Sequence, residues 1–467
     1  MSAAENELLL AWRRAWWAQG FKPVVLGGAE AMKHPLYQTL QGLHLEAGLQ
    51  IEFERWLAWA HMDGGILANW LTLPMARYDD SMLSYLRRGE FPKLTRYKGL
   101  QSGLFVGTKD DVNAAIKQGL DTVGDKLKKP SNIIDALPSV FDVDSRPGAI
   151  AFYDLTTITS KYNAITEKLS KSQAEGYALL RQLINSHLHI TWQNSFPDGI
   201  AVLKPHPRHM TALVSPAINL ALDLSQCPET PMPSSCPPNR PSCQPCDSSH
   251  FLDITTPEAL QNKSTVYTIG FVPHPYTFLS LEHSRQTLST AFVRRNTSRD
   301  TWLKSITAKL LETGLSGPQR LVPFKEAVAS EQGASRTLWL SAEQTTQNDL
   351  EWKFGFALPF KDGGTPNLPK VRPPLPRDEG PMPSETDLAR EVTLLEQARK
   401  ALKSTRGALK MDKEMVEAWN LADVEAWRFA RAFEARRRVE RKKWEEDEKT
   451  FAGAERTGWN WQGGLVG

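Results

Sequence analysis

Long apolar runs are missing from this chain of 467 residues. No stretch approaches the roughly 18 to 20 apolar residues that cross a bilayer as a helix, so no transmembrane segment is expected within it. The start lacks a secretory signal as well, since Glu5, Glu7, Arg13 and Arg14 interrupt any apolar stretch there. A dominant charge is also lacking: 56 Lys plus Arg stand against 53 Asp plus Glu, a formal net charge of +3. That balance is too near neutrality to make nucleic acid the expected partner. Cysteine is scarce, with four in all, and no internal repeat is visible.

What is present is a chain long enough for about two to four domains with real cores, at 41% hydrophobic and 23% charged residues. Tryptophan is abundant, 15 in total. Trp12, Trp16, Trp17, Trp56, Trp59 and Trp70 crowd the N-terminal part, where such rings fill a core or stack on a saccharide; core filling is the simpler reading. Apolar periodicity predicts helices over 5–19, 35–62, 109–126, 163–187, 212–224 and 299–312. Short apolar runs predict strands over 21–27, 66–73, 103–106, 149–153, 200–204, 264–272 and 337–340. Alternating helices and strands give an α/β fold class.

Composition divides the chain further. Residues 1–225 read as one α/β domain, 226–250 as a Cys/Pro-rich cross-linked loop, and 251–360 as a second α/β portion packing on the first. Residues 361–384 are a proline-rich linker that cannot hold a helix. From 385 to 467 the chain is a helical extension, in which Val416, Trp419, Ala422, Ala426, Phe429 and Phe433 form one docking stripe. Arg436 to Lys443 and Glu445 to Glu448 form opposed charge blocks, read as a solvated helix end.

Cys227, Cys236, Cys243 and Cys246 follow a C-x8-C-x6-C-x2-C pattern. Two chemistries use four sulfurs so close together, a thiolate zinc site or two disulfides. The spacing lacks the second C-x2-C of a zinc ribbon, which favours disulfides, and three pairings are open. Sequons at Asn262 and Asn296 accord with a glycosylating compartment.

The segment richest in chemistry runs from Arg55 to Met75: Arg-Trp-Leu-Ala-Trp-Ala-His-Met-Asp-Gly-Gly-Ile-Leu-Ala-Asn-Trp-Leu-Thr-Leu-Pro-Met. It resembles the signature of the fungal α-1,6-mannosyltransferase-like group, glycosyltransferase family 32. In that group a helix with an early Arg leads to Gly-Gly-Ile-Tyr, an Asp-X-Asp at a strand end, and Pro. Gly64, Gly65, Ile66 and Pro74 keep the spacing, and Asn69 and Leu71 occupy the two carboxylate positions. The resemblance implies a glycosyltransferase A-like (Rossmann-like) sheet with helices on both faces. It also implies transfer of a sugar from a nucleotide-sugar donor to a glycan or protein acceptor in the secretory pathway, with Mn²⁺ or Mg²⁺ at the leaving diphosphate. Leucine cannot ligate a cation and an amide does so weakly, so this chain's donor set departs from the group's.

Carried over residue by residue, the resemblance sets Arg55, Gly64, Gly65, Asn69 and Trp70 around the donor. Asp63 is a candidate catalytic carboxylate, with Asp79 and Asp80 as displaced carboxylates or helix caps. His187 and His189, in a His-Leu-His-Ile-Thr-Trp stretch that resembles the segment closing the active site in such enzymes, are the other candidate catalytic residues; they read as two residues on one face of a strand, able to hold a phosphate or metal or to sit hydrogen-bonded in the core. Residence in the Golgi or secretory lumen implies a membrane anchor and an opening strand upstream of the helix at 5–19; a cytoplasmic chain with reduced cysteines is the other reading. The rival function is a catalytically inactive relative that binds glycans or proteins.

Overall fold

The computed structural model describes residues 2–125, 130, 132–137, 139–203, 214–257, 260–261, 263–271, 317–340, 346–358, 385–386, 389, 403 and 407–452. The helices are α1 (Ala3–Ala18), α2 (Gly28–Met32), α3 (Tyr37–Gly42), α4 (Ala47–His61), α5 (Ser81–Arg88), α6 (Lys109–Asp125), α7 (Ile133–Ala136) and α8 (Leu155–Lys161). There follow α9 (Asn163–Lys171), α10 (Gln173–Ser195), α11 (Val214–Ser225), α12 (Gly317–Ala329), α13 (Glu331–Arg336), α14 (Gln347–Phe354) and α15 (Gly407–Ala452). The strands are β1 (Gly64–Ala68), β2 (Thr72–Pro74), β3 (Thr95–Tyr97), β4 (Leu104–Thr108), β5 (Asp142–Asp144), β6 (Ile150–Phe152), β7 (Ile200–Leu203), β8 (Ile254–Thr255), β9 (Tyr267–Phe271) and β10 (Thr337–Leu340). The fold is mixed α/β, as the alternation of apolar periods requires.

α1 begins at a reciprocal cap in which Ser2 and Glu5 satisfy each other's backbone N–H. Its apolar face, Leu8, Trp12, Ala15 and Trp16, is buried and packs on α10 and α14. The strand expected at 21–27 does not form; the segment carries no regular structure. Its backbone polar groups find side chains instead of a neighbouring strand: Trp444 Nε1 donates to the Pro23 carbonyl at 3.0 Å and Val25 N–H donates to Glu448. Both partners belong to α15, more than 400 residues away, and no local pattern announces them.

β1 is an edge strand of an antiparallel and mixed sheet ordered β1-β4-β3-β5. α2, α4, α6 and α7 cover it around a core that includes Phe53, Trp56, Trp59, Phe105 and Ile116. β2 leaves that sheet and pairs antiparallel with β6. The single strand expected over 66–73 is therefore two strands separated by a turn at Asn69–Leu71.

A second four-stranded sheet, β10-β9-β7-β8, is parallel throughout. The chain lays β8 on one side of β7, then β9 and β10 on the other, a doubly wound order that needs crossover helices. α11 makes the first crossover, and α12 and α13 lie between β9 and β10. β7 and β10 are buried along their length, and Ile200, Val202, Tyr267, Ile269, Leu338 and Leu340 share one core with α1 and α10.

α15 closes the structure over the N-terminal helix. Trp444 stacks on Trp17 with ring centroids 4.8 Å apart, Arg441 pairs with Asp349 at 2.8 Å, and Glu448 pairs with Arg13. Ala426, Phe429 and Phe433 of the expected stripe pack beside Phe324 and Trp339; the side chains of Val416, Trp419 and Ala422 lie outside the described residues. So do the helix expected at 299–312, the linker at 361–384, and Asn262 and Asn296. No helix among the described residues is long and apolar enough to cross a membrane.

Candidate functional site

The helix–turn–strand expected around the paired glycines is present as α4, the turn at Asp63 and β1. Asp63, Gly64 and Gly65 all have positive φ, at 65°, 80° and 92°, a left-handed run that glycine adopts without penalty. A Cβ on Gly64 would lie 2.7 Å from Lys109 N and 2.8 Å from Gly107 O. The close approach that Gly64 permits is thus to the end of β4 and the start of α6, where the sequence suggested a sugar. Asp63 is an exposed carboxylate whose Oδ1 accepts from Lys109 Nζ at 2.6 Å, a hydrogen bond that lowers its pKa.

Four residues on, the Asn69 Oδ1 accepts the Leu71 N–H at 2.9 Å and the Asn69 N–H donates to Gly103 O at 2.8 Å. This is an Asx-turn, in which the side chain supplies the hydrogen bond that a backbone turn would make. Leu71 is 3% exposed and belongs to the main core. Trp70 packs edge-on against Tyr177 of α10, with centroids 5.8 Å apart. Arg55 has an enclosed Nη2 without a hydrogen-bond partner among the described residues, and burial lowers its pKa.

A divalent cation is what the resemblance implies at this turn, and the residues present do not fit one. The Asn69 oxygen is already committed to its own turn, Leu71 offers no donor, and Asp63 is held by Lys109. Asp80 serves as the N-cap of α5, accepting from Met82 N at 2.8 Å and Leu83 N at 3.4 Å. Asp79 is held by Arg77 at 3.0 Å and Arg336 at 2.7 Å. Burial pushes the Asp79 carboxyl up, and these two guanidinium groups outweigh it and keep it below its ordinary value.

The two histidines lie on a helix, α10, which corrects the strand placement. Residues i and i+2 of a helix point about 200° apart, so they cannot share a ligand. His187 and His189 are both fully buried. His187 Nδ1 meets Tyr153 Oη at 2.7 Å and Nε2 meets Ser235 Oγ at 2.9 Å. The Ser235 hydroxyl donates to Met232 O at 2.6 Å, so its proton is spent and the imidazole Nε2–H is the donor in that pair. Nδ1 then accepts from Tyr153, and the ring is neutral with both nitrogens occupied. Burial holds its pKa down at about 3. His189 Nε2 donates to Leu224 O at 2.9 Å and its ring stacks on Phe356; burial lowers its pKa to about 4, the carbonyl offsetting part of the effect.

Ser235 belongs to the cysteine loop, so His187 ties that loop to the core. The four cysteines form two nested disulfides, Cys227–Cys246 and Cys236–Cys243. This decides among the three pairings and leaves no thiolate for zinc. Tyr162 Oη adds a hydrogen bond to Cys236 O at 2.9 Å.

Two cavities lie elsewhere, and neither is lined by Arg55, Asp63, Gly64, Gly65, Asn69 or Trp70. One is an open groove of about 580 Å³ between α1 and α10, edged by Arg14, Lys168, Glu175, Arg181 and Asn185. The other, of about 220 Å³, begins at Pro74 and is lined by Arg77, Asp79, Arg336, Lys353 and Arg437. Burial, with a contribution from Arg437, pushes the Lys353 amine down to about 8. Sequence reasoning did not find this second set. Its members come from four segments spread over more than 350 residues, and the one local signal was the Arg77-Tyr-Asp-Asp run just after Pro74.

Residues 1–463 match the family model described as a domain of unknown function, DUF8765. The chain belongs to this family. No curated protein and no solved structure matches the chain. A match over 463 residues means that the DUF8765 family takes in both sheets, the cysteine loop and α15 together.

Proposed function

We propose that this DUF8765 chain is a glycosyltransferase A-like protein of an oxidising secretory compartment, and that it binds a glycan or protein ligand without transferring sugar through a metal. The observation that carries the reading is the Asn69-Trp70-Leu71 turn. The spacing from Arg55 through Gly64, Gly65 and Ile66 to Pro74 follows the family 32 signature. At the point where that signature offers two carboxylates, this chain closes the turn with its own amide and sends Leu71 into the core. Retained spacing with a rebuilt donor set fits a fold kept for recognition. The two disulfides support the lumenal setting. The groove between α1 and α10, with amide and charged side chains of both signs along it, offers the chemistry that hydroxyl-rich or peptide ligands use.

The test combines two assays on the full chain. Incubation with UDP- and GDP-hexoses and Mn²⁺ is expected to release no nucleotide above the protein-free rate. A glycan array is expected to give binding that Arg181→Ala weakens and that EDTA leaves unchanged. Manganese-dependent nucleotide release would overturn the reading in favour of sugar transfer to a glycan or protein acceptor.

A further inference from the structure

The smaller cavity has a charge arrangement that the proposed function does not use. It is enclosed by the end of β2, the C-terminal turn of α10, α13, the end of α14 and one face of α15. Two carboxylates line it, Asp79 and Glu331; Asp79 is already matched by two cations, Arg77 and Arg336. Two more cations line the same space without a carboxylate in ion-pair contact among the described residues: Lys353, whose Nζ donates only to Ala334 O at 2.8 Å, and Arg437. Burial and then Arg437 disfavour the charged form of Lys353, and Glu434 relieves this only partly. Gln19 adds an enclosed Oε1 with no donor among the described residues, and Thr191 and Ser330 bring hydroxyls. The opposite wall is aromatic, with Trp192 and Tyr267 in contact at 5.0 Å between centroids.

Cations that line one recess are stabilised by an anion bound among them, most strongly by one of high charge density. Size then narrows the ligand. At about 220 Å³ the cavity falls below the roughly 300–1,000 Å³ typical of drug-sized ligands, which is too small for a nucleotide sugar. The aromatic wall suits the ring of a small sugar, whose C–H face packs on such surfaces. We propose that this cavity binds a phosphorylated small molecule of about the size of a sugar phosphate, with its phosphate held by Lys353 and Arg437. The site is separate from the Asn69 turn and from the α1–α10 groove, and it stands whether or not either binds carbohydrate.

Calorimetric titration of the full chain tests it, with inorganic phosphate, a hexose 1-phosphate and the free hexose as probes. Both phosphate-bearing probes are expected to bind one per chain, the hexose phosphate more tightly, and the free hexose to show no heat. Lys353→Met and Arg437→Met are each expected to weaken binding at least tenfold, whereas Lys117→Met, at an exposed position of α6 that lines neither cavity, leaves it unchanged. Thermal melts identify any variant that fails to fold; if Lys353→Met does so, Arg437→Met, on the partly exposed face of α15, carries the test. Silence from both phosphate probes overturns the proposal, as does binding that a folded Arg437→Met variant retains at full strength.

Discussion

At one end of β2 the chain folds its polar groups onto itself, and at the other it leaves them facing a cavity. Before Thr72, the Asn69 amide satisfies the Leu71 N–H and Leu71 is taken into the core. Beyond Pro74, Arg77 and Asp79 join Arg336, Lys353 and Arg437 around an open space. The difference lies in which residues the backbone has to accommodate. A buried leucine is worth about 2 kcal/mol or more in removed apolar surface, enough to fix a tight turn around it. Cations without a carboxylate in ion-pair contact among the described residues gain nothing from collapse, and Lys353 and Arg437 line an open recess. Helix α10 stands behind both ends, meeting Trp70 through Tyr177 and lining the cavity with Thr191 and Trp192.

The sharpest way to break the comparison is to restore a carboxylate at the closed end. Leu71→Asp is expected to lower stability by about 4 kcal/mol, because it removes a buried side chain and puts a charge in its place. Urea denaturation measures this, and a loss under 1 kcal/mol would mean that the turn opens freely. Gly64→Ala comes next, at about 2 kcal/mol, since the new Cβ meets the backbone of Lys109 and Gly107 and the φ of 80° disfavours any side chain. An unchanged melting temperature would show that β1 and β4 tolerate separation there.

Acid sharpens the role of α10. The folded-state pKa values of His187 and His189, about 3 and 4, lie below the unfolded value of about 6.5. The unfolded chain therefore binds more protons in that window. The histidine contribution is complete above pH 6.5 and is lost as pH falls toward 4, by on the order of 1 kcal/mol per pH unit for each histidine. Comparing pH profiles of the wild-type chain and His187→Gln isolates the first of these, and identical slopes would contradict a neutral buried ring. Smaller again, Asn69→Ala is expected to cost about 1 kcal/mol through the lost turn hydrogen bond. Last, Arg336→Gln is expected to cost about 0.5 kcal/mol, as for a partly exposed ion pair, because Arg77 still holds Asp79.

Much of the fold was legible in local pattern. The strand at 337–340, the helix from Lys109 and the strands at 149–153 and 200–204 follow from periods of 3.6 and 2 with their turn residues. The errors share a cause. Residues 21–27 have the composition of a buried strand, yet their backbone partners are side chains on α15. The i, i+2 spacing of His187 and His189 suits one face of a strand, while the apolar residues on both sides of them belong to a helix that is buried from Ser186 to Thr191. For the site, sequence located the glycine turn and the departure from carboxylates at 69 and 71. It could not reveal that Asn69 caps its own turn, because that depends on where Leu71 goes. Nor could it assemble the Lys353–Arg437 recess, which exists only once α13, α14 and α15 meet the end of β2.

The central claim is that the Asn69 turn is closed to a metal. A titration of the full chain with Mn²⁺, followed by the loss of the free-ion electron paramagnetic resonance signal, tests it directly. No stoichiometric Mn²⁺ uptake is expected, in the wild-type chain and in Asn69→Ala alike. One bound Mn²⁺ per chain that Asn69→Ala abolishes would contradict it.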